Sequence, residues 1–235
     1  MLFTGVASVG AQQKVSDVDK LGMAMEYFQS GKYHEALLLF LPLDKNHKLN
    51  PRFRAFIGLC YYYEWDYDKA VKYFDKVLPQ LDGLAPHERS VYYYAAGESY
   101  FQLKKYEKAI EYFTKDLEVC YNNEKGDVYY RLGFCNMFLK NWKQAYRQFS
   151  SSEDFYRRYR NTDDVESRLA QITNMKNGCM KYIMEQIDDE RSQMLEQSPS
   201  VDTTDVPPVT PWDSITVPTV TSPQFFSNKK SAGGY

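Results

Sequence analysis

The sequence predicts an all-α fold: a stack of about four helix pairs, closed by a capping helix and followed by an irregular or disordered tail. Three observations carry this. Four segments align on one another, their shared positions recur at helical spacing, and the composition changes sharply beyond Gln197. The segments are MAMEYFQSGKYHEALLLF (23–40), IGLCYYYEWDYDKAVKYF (57–74), AGESYFQLKKYEKAIEYF (96–113) and LGFCNMFLKNWKQAYRQF (132–149), offset by 34, 39 and 36 residues. A period in this range is the mark of a solenoid.

Each segment carries a small residue near its start, Ala24, Gly58, Gly97 or Gly133, which lets a neighbouring helix approach closely. An aromatic follows (Tyr33, Tyr67, Tyr106, Trp142), then an alanine (Ala36, Ala70, Ala109, Ala145), and a phenylalanine closes the segment (Phe40, Phe74, Phe113, Phe149). Tyr27, Tyr61 and Tyr100 lie one turn beyond the small residue on the same helix face. One pair cannot bury both its faces, so stacked neighbours complete the core. The interval of 39 leaves room for an extra loop, LDGLAPHERS (81–90), containing Gly83 and Pro86.

On these residues the chain resembles the tetratricopeptide repeat (TPR) family over about 17–160. The resemblance implies two antiparallel helices per unit and a right-handed α-solenoid. Several family positions depart. The usual tryptophan at repeat position 4 is Lys20, Arg54, Tyr93 and Tyr129, and the glycine between the helices survives only as Gly31. The usual proline at position 32 is missing, and the alanine of position 27 is Leu43, Val77, Asp116 and Ser152. These departures bear on helix boundaries and local packing.

A solenoid end needs a cap with a polar outer face, and 161–197 supplies one. Asp163 and Glu166 form an N-cap pair. Val165, Leu169, Ile172, Cys179, Ile183, Ile187 and Met194 then make one apolar stripe. Gly178 weakens this helix by about 1 kcal/mol relative to alanine, so it marks a site for a break. Arg168, Lys176, Lys181, Asp188, Asp189, Glu190 and Arg191 fall mostly off the stripe and read as a solvated charged face.

A net charge of −2 argues against a general nucleic-acid binder, which carries a basic surplus. No run of 18 apolar residues exists to span a membrane. Cys60, Cys120, Cys135 and Cys179 are far apart and read as buried thiols; with only His34, His47 and His87 no zinc spacing arises. No GxSxG, HExxH, P-loop or GxGxxG is present, and His87 and Glu88 fall in a loop without a nucleophile nearby. The expectation is a non-catalytic protein without cofactor or metal.

The ends are read separately. Within 1–16, MLFTGVASVGAQQ resembles the latter half of a secretory signal, with Val9-Gly10-Ala11 as a small-x-small site but without a basic start. Export to the periplasm or outer membrane is the expectation, and a cytoplasmic chain is the alternative. Residues 198–222 are a Pro/Thr/Ser-rich linker. Its Asp202-Thr203-Thr204 and Asp213-Ser214-Ile215 resemble glycosylation triplets of exported bacterial proteins. Residues 223–235, PQFFSNKKSAGGY, resemble the start of a WD-repeat-like propeller blade, which in bacterial envelope proteins precedes an OmpA-like, peptidoglycan-binding domain.

The family resemblance implies a concave groove at repeat positions 2, 5, 9, 12 and 13. Carried onto this chain, the groove residues are Leu21, Met25 and Phe28; Arg52, Leu59, Tyr62 and Tyr63; Tyr94, Glu98, Phe101 and Gln102; and Tyr130, Phe134, Met137 and Phe138. A row this apolar marks an interaction site for a peptide or helix of a protein partner. The other reading is a structural spacer or scaffold whose groove is filled by its own cap or tail. Within VYYYAAGESYFQLKKYEKAIEYF (91–113), Tyr93, Tyr100, Tyr106 and Phe113 then fall to the core, Tyr94 and Phe101 to the groove, and Tyr92 and Tyr112 are unassigned.

Overall fold

Each aligned segment folds as a helix, a tight turn and a second helix. The computed structural model describes residues 15–160 and 165–197. The pairs are α1 (Asp17–Gln29) with α2 (Tyr33–His47), α3 (Pro51–Tyr63) with α4 (Tyr67–Val77), α5 (Pro86–Gln102) with α6 (Tyr106–Val119), and α7 (Lys125–Phe138) with α8 (Trp142–Tyr159). A 3-10 turn, Leu78–Gln80, extends α4, and α9 runs from Val165 to Gln197. Met1–Ser192 form one compact unit and Gln193–Tyr235 a second, of which 193–197 are described, as the helical end of α9. The expectations for 1–14, 161–164 (including the Asp163 cap) and 198–235 lie outside the described residues. Among the described residues no helix is long and apolar enough to cross a membrane.

Local chemistry sets the helix starts. Ser16, Asn50 and Asp66 each accept a backbone N–H of the first turn. Pro51 and Pro86 open α3 and α5, where a missing N–H costs nothing. Because Pro86 starts a helix, the loop expected over 81–90 is shorter, and His87 and Glu88 sit in the first turn of α5 instead.

The turn inside every pair has one geometry. Gly31, Trp65, Lys104 and Lys140 occupy the same position and all adopt left-handed φ, 72°, 60°, 57° and 61°. Lys32, Asp66, Lys105 and Asn141 then donate back to the carbonyls of Tyr27, Tyr61, Tyr100 and Asn136, which is the Schellman closure. So the glycine is lost in three units while its conformation is kept. A side chain held there costs about 1–2 kcal/mol.

The close approach inside each pair is a glycine against a phenylalanine ring. A Cβ added at Gly58, Gly97 or Gly133 would lie 2.8, 2.7 or 2.5 Å from Phe74, Phe113 or Phe149. All four closing phenylalanines and all four repeat alanines are fully buried. The position-27 departures are also accounted for. Leu43 and Val77 are apolar and buried, Asp116 accepts the Ser90 hydroxyl at 2.6 Å, and the Ser152 hydroxyl donates to the Gly126 carbonyl at 2.7 Å.

Helix α9 is unbroken through Gly178, whose Cβ position meets open space. Val165, Leu169, Ile172, Cys179 and Ile183 are buried as the stripe requires, but Ile187 is half-buried and Met194 is 69% exposed. Two members of the expected solvated face turn inward. Arg168 lies over the Tyr130 ring, 4.5 Å from its centre, and Lys176 pairs with Glu153 of α8 at 2.7 Å. Long basic side chains cover apolar surface while their heads find acids or rings, which a stripe count does not foresee.

Two predictions follow from the glycines. Gly97→Ala or Gly133→Ala overpacks a phenylalanine and should lower stability by about 1–3 kcal/mol in urea unfolding. Gly178→Ala meets no neighbour and should raise it by about 1 kcal/mol.

Candidate functional site

The first helices α1, α3, α5 and α7 share one face, and it is hollow. A cavity of about 440 Å³ is lined by Phe28, Tyr33, Arg52, Phe56, Tyr63, Glu88 and Tyr92, among others. A second, of about 400 Å³, is lined by Tyr62, Ser90, Tyr94, Ala95, Asp116, Glu124, Asp127, Val128 and Arg160. Leu59, Tyr63 and Val91 line both, so the two adjoin.

Successive first helices are tied across this face by charge and aromatic contacts. Arg52 of α3 forms a two-pronged bond with Glu88 of α5 (2.6 and 3.1 Å), and Tyr92 donates to the same carboxylate. Glu98 of α5 lies 2.7 Å from Arg131 of α7, a charge contact without an aligned hydrogen bond. Burial raises the Glu98 carboxyl above its usual range, and Arg131 opposes that rise. Tyr130 of α7 meets Arg168 and donates to Gln171 of α9 at 3.3 Å.

A ring stack also joins one unit to the next. Tyr33 stacks on Tyr63 (4.3 Å, 14°), Tyr106 on Phe138 (4.8 Å, 15°) and Trp142 on Tyr182 of α9 (4.2 Å, 14°). The third unit presents Gln102 where Tyr63 and Phe138 stand in their units, so the stack is missing there. Helix α9 therefore takes the place of the first helix of a further, unpaired unit.

Measured against the expected groove, the residues divide three ways. Leu59, Glu98 and Tyr130 are buried. Leu21, Met25, Phe28, Tyr62, Tyr94, Phe101, Phe134 and Met137 are half-buried, and Arg52, Tyr63, Gln102 and Phe138 are exposed. Phe134 and Met137 pack into the cluster that α9 completes with Leu169, Ile172 and Cys179. Sequence reasoning omitted Val91, 40% exposed at the junction of the cavities, and Phe56. It also omitted the polar wall, Asp116, Glu124, Asp127 and Arg160. Position 2 of the third and fourth units, Val91 and Asp127, was readable by the same carry-over that picked Arg52.

The polar wall is largely self-satisfied. Asp127 accepts from Arg160 and from the Tyr156 hydroxyl. Glu124 is 3.0 Å from His87 and accepts the Tyr121 N–H at 2.9 Å. Asp116 differs. It is 1% exposed, and among the described residues its one hydrogen-bond partner is Ser90 and no cation pairs with it. Burial pushes its carboxyl up to about 7, with the nearby Glu124 adding and Ser90 opposing.

The four cysteines are free and buried, and burial pushes Cys60, Cys120 and Cys135 up to about 12. Thiols held that high are poor nucleophiles. Among the described residues no group of histidine, cysteine and acidic side chains is placed to hold a metal ion.

A carboxyl raised on folding binds its proton more tightly in the folded chain, so it favours the fold at low pH. That contribution is lost as pH rises from the unfolded value, near 4, to the folded value, about 7. The stability of Asp116→Asn relative to the parent chain should therefore rise across this window, by on the order of 2–4 kcal/mol. Urea unfolding at acid and alkaline ends of the window measures it.

Residues 90–123, the third unit, match the tetratricopeptide repeat family. A search of curated proteins gave no match. Among solved structures the chain is similar to MamA 41-end from Desulfovibrio magneticus RS-1, at 18% identity over 75% of this chain and 96% of that one, TM-score 0.54. It is similar to MamA AMB-1 at 17% identity, over 81% and 97%, TM-score 0.55. It also resembles a chain of the APC/C hetero-tetramer Cut9-Hcn1 at 16% identity, over 67% and 30%, TM-score 0.53. With the repeated turns and pairs already described, the fold is a tetratricopeptide-repeat solenoid.

Proposed function

We propose that the chain is a non-catalytic protein-interaction scaffold that holds a peptide or helix of a partner protein in the hollow face of α1, α3, α5 and α7. The observation that carries this reading is the pair of adjoining cavities with exposed apolar side chains at their rim. Tyr63 is 43% and Val91 40% exposed, and both line the two cavities. Exposed apolar surface bordering a cavity is costly to leave in water unless something covers it. A family match in the third unit supports the same reading, because that unit forms the centre of the hollow face.

The setting we propose is the bacterial cell envelope, supported by the small-x-small N-terminal segment and the Pro/Thr/Ser-rich tail with its blade-like end. A second reading has one observation in its favour. Helix α9 already packs with Tyr130, Phe134 and Met137, so the fourth unit's share of the groove is filled by the chain itself. The partner's share is then the first three units with the start of α7, where Asp127 and Val128 line the second cavity.

A photo-crosslinking residue placed at Tyr63 or Val91 should yield adducts with a partner in cells of the source organism. The same residue at Lys72, exposed on α4 and outside both cavities, should not. Adducts from Lys72 alone would place the interaction on the second helices and remove the groove from the account.

A further inference from the structure

We propose that the cavity between α5 and α7 receives a lysine or arginine side chain of the bound segment, seated on the Asp116 carboxylate between aromatic walls. This rests on the groove reading above and names what the groove selects.

The third and fourth units make the same local tie, between the start of the first helix and position 27 of the second. The fourth unit makes it with neutral groups, Ser152 donating to the Gly126 carbonyl. The third unit makes it with a carboxylate, Asp116 accepting from Ser90. The first two units put buried Leu43 and Val77 there. The tie therefore does not need a charge, and the fold does not need a polar group. Burying a carboxylate without a cation is strongly unfavourable, so Asp116 is a poor choice as a packing residue.

The neighbouring groups explain why it is available. Of the acids lining the cavity, Asp127 is held by Arg160 and Tyr156, and Glu124 by His87 and the Tyr121 N–H. Facing Asp116 are Ser90, His87, Glu124 and the buried Cys120 thiol, none of which is a permanent cation. Among the described residues no Lys or Arg forms an ion pair with Asp116. Asp116 is among the residues that line the cavity of about 400 Å³.

The other walls suit a long cationic side chain rather than a metal ion. Tyr62, Tyr63 and Tyr94, with Val91 and Ala95, line the same cavity as Asp116. Ring faces favour ammonium and guanidinium groups, and the apolar residues pack a methylene stem. Burial pushes the Asp116 carboxyl up to about 7, and a ligand cation seated on it would favour loss of its proton.

The test uses the full chain and blocked peptides, so that neither peptide end supplies a charge. Positional pools fixing lysine, arginine or norleucine are titrated by fluorescence anisotropy at neutral pH. One position should prefer the basic residue about tenfold over norleucine, the scale of one charge-assisted hydrogen bond. Asp116→Asn and Asp116→Ser, the latter copying the fourth unit, should reduce that preference to within about twofold while the norleucine pools bind as before. Calorimetry of the unmodified chain in two buffers of different ionisation enthalpy should show proton release with the basic pools and none with norleucine, a readout that needs no variant. Binding of apolar pools without basic preference, survival of the preference in both variants, or basic binding without proton release would each overturn the assignment to Asp116. Failure of every pool to bind would instead overturn the groove reading, and this inference with it.

Discussion

The contact on which the structure depends is a glycine pressed against a phenylalanine ring inside a helix pair. At Gly58, Gly97 and Gly133 the partner ring is so near that a methyl group has no room. Glycine within a helix costs about 1 kcal/mol. Full burial of a phenylalanine contributes about 2–3 kcal/mol, so the exchange is favourable each time it is made. The short interhelical distance then dictates the turn. Only a left-handed residue closes a helix and reverses the chain so tightly, which is why Trp65, Lys104 and Lys140 accept a conformation that suits Gly31 better.

Once the pairs are tight, the remaining problem is how one pair holds the next, and here the aromatic excess of the composition is used. On one edge the rings stack across junctions, Tyr33 on Tyr63, Tyr106 on Phe138 and Trp142 on Tyr182. Elsewhere Asp75 of α4 accepts both the Tyr100 and Tyr112 hydroxyls, at 2.6 and 2.7 Å, and the two rings stack at 10°. Tyrosine serves at such sites because its ring packs while its hydroxyl reaches an acid beyond the apolar layer. Tyr92 does the same with Glu88.

The repeat itself was legible in the sequence because several types recur together: the small residue, alanine and closing phenylalanine each map onto one physical contact. The pairs, their order and the burial of Phe40, Phe74, Phe113 and Phe149 follow from that alone. What stayed hidden depends on chain segments meeting across units. Nothing in the local pattern reveals that Arg131 will face Glu98, or that Arg168 and Lys176 will turn toward α7 and α8. Pro86 misled for a different reason. Proline reads as a loop residue, yet at a first helical position it starts the helix, which carries His87 and Glu88 onto α5. Within the candidate site the apolar rim was visible through the family positions, whereas Asp116 looked like a mere loss of alanine.

That last mismatch bears on what kind of recognition this face can support. Its large rings are mostly engaged already: Tyr63 and Phe138 each give one face to a neighbouring unit, and Phe134 packs with α9. Val91 and the remaining surface of these rings are left for a partner, and apolar contact of that kind distinguishes poorly between one apolar segment and another. Selectivity must then come from polar groups that are hard to satisfy, since a buried group left unpaired discriminates more sharply than a methylene gained or lost. Asp116, buried in the cavity wall with no ion pair among the described residues, is a group of that kind.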